Sequence, residues 1–428
     1  MAQLEHLNKL YRQEAHYFGH IEGLRAFTAL RVMLHHLAVF GVLFFEPAQY
    51  SQMLNHPFFK LASSTSVLLD VFFIISGFVI SYSLINRYKA TGTLDFYRFM
   101  VRRCARVLPV YFFVIVVCGI MLMENFSYVW TNILQINNML PVQHQFMPWT
   151  WSVAVDFQFY VLFAVFMWLL AKRFIGKKTS YVLAFSFCLL PIIIIPILIS
   201  TQDFYHLTKN VYIINQPEAW KFFNMGFDKL YVRIPAILSG IISAYLVVYH
   251  QDQLRSRILN TSKLLINFCV LMLLAVVLFL LVNDPIWFFD LHHPVWQTST
   301  YWTMLIQHFT FALVMCPLLL LAQFPRGIVV KGIVGILKSV VLRPLGRLSY
   351  GTYMIHPIVF IIGYAIYFAT HSTITAEMYF QYGLILILIT YLLAVPLFLF
   401  LEQPAIHKIK SLLLNRKEGL PPPLQVKT

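Results

Sequence analysis

Residues 24–45, LRAFTALRVMLHHLAVFGVLFF, decide the class of fold, because this stretch is long and apolar enough to cross a bilayer. It nevertheless carries four ionisable side chains, Arg25, Arg31, His35 and His36. An ionisable side chain inside a membrane is costly, so it usually faces the interior of a helix bundle and marks a functional site. The stretch therefore predicts a membrane helix that does more than anchor the chain.

The composition of the whole chain agrees with this interpretation. Of its 428 residues, 59% are hydrophobic and only 11% are charged, and the mean hydropathy is +0.72. A soluble domain is usually about one-quarter charged, so this composition does not fit a water-soluble fold. The net charge of +15 is explained by basic residues that gather on the cytoplasmic side of a membrane, and no nucleic-acid partner is predicted.

Apolar runs of membrane-spanning length divide the chain and predict an all-α polytopic membrane protein. About ten spans are expected, at 24–46, 64–86, 104–123, 150–171, 179–200, 231–249, 264–282, 301–323, 346–369 and 379–401. Most of the 32 Lys and Arg residues fall in segments that lie on one side when the N-terminus is cytoplasmic. Both termini are therefore expected in the cytoplasm.

Three regions follow from this division of the chain. Residues 1–23 are predicted to be a cytoplasmic N-terminal segment, residues 24–405 the transmembrane domain and residues 406–428 a cytoplasmic tail. Within the domain, basic residues alternate with Ile, Val and Leu over 326–343. That pattern predicts an amphipathic helix that lies on the membrane surface.

Arg25 and His36 share one face of the first span, because they are eleven residues, or about three helical turns, apart. At a rise of 1.5 Å per residue, His36 lies roughly 16 Å deeper than Arg25. The functional interpretation is an anion-binding arginine at the cytoplasmic edge and a proton acceptor near mid-membrane. The alternatives are an arginine that reaches the headgroups and a histidine that only supports the bundle. Other ionisable groups within predicted spans are Asp70, Asp156, His308 and His356.

A cluster of arginines opens the third span, in the segment FYRFMVRRCARVLPVY (96–111). Two interpretations are open for this cluster. It follows the positive-inside rule and contacts anionic lipid, or it captures phosphate from a cytoplasmic donor, for which the planar fork of arginine is well suited. The basic residues concerned are Arg98, Arg102, Arg103 and Arg106.

Seven short motifs follow one another between residues 23 and 405. They are GLRAFTALRVMLHH, LLDVFFIISGFVIS, FYRFMVRRCARVLPVY, WTWSVAVDFQFY, YVRIPAILSGIISA, LGRLSYGTYMIHP and FLEQPA. In this order they resemble the acyltransferase-3 family, integral-membrane O-acyltransferases that modify bacterial surface polysaccharides, glycolipids and some antibiotics. The chain departs from the family pattern in two places: Asp156 and Phe157 replace paired glutamates, and Gln403 replaces the arginine of a closing ERP.

The resemblance implies transfer of an acyl group, usually acetyl, from cytoplasmic acyl-CoA to a hydroxyl. Acyl-CoA carries several phosphates, so donor binding is assigned to Arg25, Arg102, Arg103 and Arg106. The catalytic assignments are His36, Asp70, Ser76 and Asp156. The other motif residues carried over are Tyr111, Trp151, Ser152, Tyr160, Arg233, Tyr353, His356 and Glu402.

The chemistry of the catalytic candidates suggests a role for each. His36 is expected to take the proton of the acceptor hydroxyl, and Asp70 or Asp156 to orient its ring. Ser76 would donate to the thioester oxygen or be acylated, or else it is only a small residue that permits close helix packing. Trp151 would stack on a sugar or belong to the interfacial aromatic belt.

The expected partners follow from the same assignment. They are acyl-CoA as co-substrate, a glycan, glycolipid or small-molecule acceptor, and membrane lipid, with no bound cofactor and no metal. The expected location is the bacterial cytoplasmic membrane. The alternative function is a proton-coupled transporter or flippase of a lipid-linked or small-molecule substrate, in which the buried His and Asp residues relay protons. The lack of an internal repeat in the sequence counts against a transporter of the inverted-repeat type.

Overall fold

The computed structural model describes residues 2–11, 18–54, 67–121, 124–173, 223–282 and 300–415, with positions 56, 57, 59, 62 and 179 between them. Within these ranges the chain is helical and contains no strand, and nine helices are long and apolar enough to cross a membrane. The predicted class, an all-α polytopic membrane protein, is thereby confirmed. The predicted span at 179–200 lies outside the described residues, apart from position 179.

The helices are numbered here in chain order. They are α1 (Ala2–Tyr11), α2 (Gly19–Phe40), α3 (Pro47–Leu54), α4 (Asp70–Thr91), α5 (Phe96–Ile120), α6 (Val129–Ile133), α7 (Trp151–Ala171), α8 (Leu230–Asn260), α9 (Lys263–Val282), α10 (Thr300–Gln323), α11 (Ile328–Leu337), α12 (Leu342–Thr370), α13 (Ala376–Leu397) and α14 (Gln403–Asn415). A π-helical turn, Phe398–Glu402, joins α13 to α14.

The surface helix expected over 326–343 is present as α11, which is shorter than predicted. Val330 and Val334 on one face are buried, whereas Ile328 and Ile336 are exposed. The helix therefore packs one apolar side against the bundle and leaves a second apolar side uncovered by protein.

Helices α4 and α8 approach each other so closely that their backbones touch. A Cβ atom placed on Gly77 would lie 2.3 Å from the carbonyl oxygen of Ile237, and one placed on Gly240 would lie 2.2 Å from that of Ile74. Small residues allow membrane helices to pack in this way. This contact fixes the position of Ser76, which precedes Gly77 on α4.

Helices α2 and α12 form a second pair, held by a buried ion pair near the N-terminal ends of both helices. Arg347 Nε lies 2.5 Å from Glu22 Oε1, and Glu22 is only 1% exposed. This pairing explains why α2 begins at Gly19 rather than at residue 24, because the partner on α12 compensates the charge of Glu22. The two pairs carry seven of the candidate site residues: Arg25, His36, Asp70, Ser76, Arg233, Tyr353 and His356.

Candidate active site

Five helices converge on a cavity of about 130 Å³. Helix α2 contributes one basic residue to the cavity, α4 and α7 contribute hydroxyl and carboxyl groups, α5 contributes two arginines, and α12 contributes one serine and two tyrosines. The polar lining residues are Arg25, Ser76, Arg103, Arg106, Ser152, Asp156, Tyr160, Ser349, Tyr350 and Tyr353. Eight of the residues predicted from the sequence as site residues therefore meet around one space: Arg25, Ser76, Arg103, Arg106, Ser152, Asp156, Tyr160 and Tyr353.

Asp156 is the acidic group of this cavity. Its Oδ2 accepts hydrogen bonds from the Ser76 hydroxyl at 2.9 Å and from the Tyr160 hydroxyl at 3.2 Å. Its Oδ1 is buried and has no hydrogen-bond partner among the described residues. One carboxylate oxygen is therefore held by protein, while the other is available to a group that enters the cavity.

The arginines form the cationic side of the cavity. Arg103 lies over the rings of Phe99 and Tyr160, at 5.5 and 5.9 Å from the ring centroids. Arg106 Nε lies 3.9 Å from Oε1 of Glu402, which is buried. The glutamate of the closing motif therefore pairs with an arginine of the third motif.

A second cavity, of about 400 Å³, adjoins the first on the side of α5 and α14. Arg103 and Arg106 line both cavities, and Arg98, Arg102 and Lys410 line only the second. Four of its five basic residues come from the cluster that the sequence indicated for phosphate capture or lipid contact.

His36 does not line the first cavity, but it contacts another motif histidine. His36 Nδ1 lies 2.9 Å from His356 Nε2, and His356 Nδ1 lies 2.7 Å from the carbonyl oxygen of Tyr353. A carbonyl can only accept, so His356 Nδ1 carries a hydrogen. In the neutral ring His356 Nε2 is then the acceptor, His36 Nδ1 is the donor, and the free lone pair of His36 is on Nε2.

Tyr353 lines the cavity, and its ring lies beside that of His356, with the ring centroids 5.6 Å apart. The Tyr353 hydroxyl donates to the carbonyl oxygen of Trp149, and the Ser152 hydroxyl lies 2.7 Å away and donates to it in turn. His356 follows Tyr353 by one helical turn on α12, so the pair lies just beyond this tyrosine. A chain of neighbouring groups therefore starts at the arginines of the basic groove and continues to Asp156 and Ser76. It then passes to Tyr353 and ends at the pair formed by His356 and His36.

A family model for an acyltransferase domain matches residues 18–399. The chain belongs to the acyltransferase-3 family. Among curated relatives, the O-acetyltransferase OatA of Staphylococcus aureus (strain NCTC 8325) is 27% identical over 191 residues, which are 39% of this chain and 27% of OatA. A protein of S. aureus strain COL named "Putative O-acetyltransferase SACOL0978" is 24% identical over 300 residues, or 64% of this chain and 42% of that protein.

The chain thus spans less than half of the length of either relative. No solved structure matches it.

One acyltransferase-3 motif residue, Asp70, occupies a different place from the one predicted. Its Oδ1 lies 2.8 Å from Arg233 Nη1 and its Oδ2 lies 2.5 Å from His308 Nδ1. All three residues are buried. The expectation that Asp70 or Asp156 orients His36 does not hold in this structure. Asp70 contacts Arg233 and His308, and Asp156 accepts a hydrogen bond from Ser76. His36 contacts His356 instead.

Trp151 also differs from its predicted role. It is 5% exposed and packs against the ring of Phe227, and the guanidinium of Arg233 lies 5.2 Å from the centroid of the Trp151 ring. The side chain supports the Asp70–Arg233 pair and presents no open face on which a sugar could stack. It does not belong to an interfacial aromatic belt, because it is buried.

The remaining motif residue on α5, Tyr111, belongs to a buried polar network next to the site. Its hydroxyl donates to Thr150 Oγ1 at 3.1 Å, and Asn132 Nδ2 also donates to Thr150 Oγ1, at 3.0 Å. Thr150 immediately precedes α7, so the network fixes the start of the helix that carries Ser152 and Asp156. Asn132 belongs to none of the seven motifs, and only its polar side chain in a mostly apolar segment indicates a structural role.

A buried carboxyl group, that of Asp228, lies near the same network, before the start of α8. Gln145 Nε2 donates to its Oδ2 at 3.2 Å, and Lys229 Nζ lies 2.8 Å from its Oδ1. Burial raises the pKa of Asp228 to about 6, although Lys229 acts in the opposite direction. Asp228 belongs to none of the seven motifs, so the sequence did not predict a role for this carboxyl group.

Proposed function

We propose that the protein transfers an acyl group, in the simplest case acetyl, from cytoplasmic acyl-CoA to a hydroxyl of an extracytoplasmic or membrane-associated glycan or glycolipid. The observation that carries this proposal is the junction of a basic groove with an acid-bearing cavity at Arg103 and Arg106. Membership of the acyltransferase-3 family and the names of the two S. aureus relatives support it. We further propose that this integral membrane protein resides in the bacterial cytoplasmic membrane.

The basic groove suits the phosphates of acyl-CoA. Arginine presents paired N–H groups that match phosphate oxygens, and Arg102, Arg103 and Arg106 supply them along one face of α5. With the phosphates held there, the thioester extends into the cavity that Arg25 and Asp156 line. The arginines of that cavity then stabilise the negative charge that develops on the thioester oxygen.

The Ser76 hydroxyl is less suited to that last role than the sequence suggested. Its hydrogen is directed to Asp156, so in this arrangement it does not donate to the thioester oxygen. Stabilisation of the oxyanion is therefore assigned to the arginines. In a route through an acyl-serine intermediate, Ser76 Oγ would attack the thioester carbonyl while Asp156 takes the hydrogen of the Ser76 hydroxyl.

In direct transfer, His36 Nε2 takes the proton of the acceptor hydroxyl while the oxygen of that hydroxyl attacks the thioester carbonyl. The new C–O bond forms, the C–S bond breaks, and the CoA thiolate leaves and takes up the proton that His36 accepted, which returns the imidazole to its neutral form. Because the arginines line the cavity and His36 does not, the acceptor approaches from the side of His36 and the donor from the side of the arginines.

The test of this function is donor binding and turnover by the purified protein. Acetyl-CoA is expected to bind, whereas an acetyl thioester of N-acetylcysteamine, which has the same reactive group and no phosphate, is expected to bind far more weakly. Calorimetry in lipid nanodiscs measures both. Equal binding of the two compounds would contradict phosphate capture, and no binding of either would favour the transporter alternative.

His356 is expected to act through His36, as a positioning residue. Replacing it with Phe removes the acceptor for His36 Nδ1–H, so kcat is expected to fall about a hundredfold with KM for acetyl-CoA unchanged. Replacing it with Gln retains an acceptor oxygen near the position of Nε2 and is expected to restore most of kcat. Steady-state kinetics of His356→Phe and His356→Gln check this, and equal activity of the two variants would contradict the role.

A further inference from the structure

The second cavity has the composition of a site for an anion that also carries an apolar part. It is lined by Arg98, Arg102, Arg103, Arg106 and Lys410, together with Ser83, Phe99, Ala105, Ile406, Ile409 and Leu413. None of these lining residues is acidic, so the cavity gathers positive charge beside apolar surface. Charge of one sign in a low-dielectric cleft attracts the opposite charge.

Helix α14 supplies a whole wall of this cavity. Ile406, Ile409, Lys410 and Leu413 follow the spacing i, i+3, i+4 and i+7, which places them on one helical face. Lys408 does not line the cavity and is exposed. The helix lies beyond residues 18–399, which match the family model, and within the segment that the sequence predicted largely as a tail.

Two observations connect this wall to the reacting end of the site. Arg103 and Arg106 line both cavities, so the groove beside α14 adjoins the space around Asp156. Glu402, in the turn that leads into α14, lies against Arg106. The helix is therefore tied to the same arginine that joins the two cavities.

We propose that α14 closes the donor groove and that Lys410 binds a phosphate of acyl-CoA. The proposal rests on the proposed function and adds a binding residue to it. The donor is favoured over a lipid headgroup as the source of the phosphate because the groove shares Arg103 and Arg106 with the acid-bearing cavity in which the acyl group would react. A lysine on an exposed helix can reach such a phosphate as a flexible point charge.

The experiment measures the Kd of coenzyme A for the full chain in nanodiscs of phosphatidylcholine, at several salt concentrations. Lys410→Ala is expected to raise the Kd about fivefold and to weaken its salt dependence, because one charge-assisted contact is lost. Lys410→Arg is expected to bind like the wild type. Lys408→Ala, on another face of the same helix, is the matched control and is expected to leave the Kd unchanged.

The outcomes separate this inference from the function on which it rests. If the wild type binds coenzyme A and Lys410→Ala binds it equally well, the role of Lys410 is wrong and the proposed function stands. If Lys410→Ala binds coenzyme A like the wild type but no longer retains phosphatidylglycerol when the nanodiscs contain it, the site holds a lipid headgroup and the inference is overturned. If the wild type does not bind coenzyme A at all, the proposed function itself is overturned.

Discussion

Replacing His36 with Ala is expected to lower the rate of acyl transfer by at least about a hundredfold, because general base catalysis contributes on that scale. The change removes the one ring nitrogen, Nε2, that the contact with His356 leaves as an acceptor. Binding of acetyl-CoA is expected to be unchanged, since His36 lines neither of the cavities that hold the arginines. Transfer by purified protein, with binding measured in parallel, checks the prediction.

The neighbouring residue provides the control for this variant. The ring of His35 lies beside that of His36, with the centroids 5.5 Å apart, and His35 has no role in the proposed chemistry. His35→Ala is therefore expected to retain most of the wild-type rate. A His36→Ala protein that keeps more than half of the activity would show that another group takes the proton.

The second large effect is expected at Asp70, and it is an effect on stability. Replacing Asp70 with Leu leaves Arg233, which is 0% exposed, as a buried charge without its carboxylate partner. Breaking a buried ion pair by removing one partner typically costs about 3–5 kcal/mol. The variant is therefore expected to be produced in low yield and to unfold at a lower temperature in detergent than the wild type. This loss of stability is expected whether or not Asp70 takes part in the reaction.

A double variant separates this structural role from a catalytic one. Asp70→Leu combined with Arg233→Met removes both charges and keeps apolar volume, so it is expected to recover much of the lost stability. Thermal unfolding of the single and double variants in the same detergent measures the recovery. If Asp70→Leu were as stable as the wild type but inactive, Asp70 would be catalytic, as the motif alone suggested.

The sequence predicts the class of fold well because the physics of a bilayer acts on single segments. A run of about twenty apolar residues predicts a span without reference to any other part of the chain. The ends of the helices are predicted less well, because they depend on partners elsewhere. Glu22 lies inside α2 because Arg347 compensates its charge. The predicted end of the apolar run at 249 falls at a kink in α8, where His250 has non-helical backbone angles, and a further helical segment runs on to Asn260.

The site shows the same division between local and distant information. Residues from different motifs, such as Ser76, Arg103 and Asp156, line one cavity. The motifs did not indicate which helices are neighbours, so the acid expected beside His36 is instead bonded to residues 163 and 238 positions away in the sequence. The spacing of residues within one helix does not predict contacts with other helices that lie so far away in the sequence.

We propose above all that this membrane protein consumes acyl-CoA from the cytoplasmic face. The most direct test adds radiolabelled acetyl-CoA, which does not cross membranes, to inside-out and right-side-out vesicles of cells that express the protein. The account predicts transfer of label to envelope material in the inside-out vesicles alone, with none when His36 is replaced by Ala. Label transfer no greater than in vesicles without the protein, in both orientations, would contradict it.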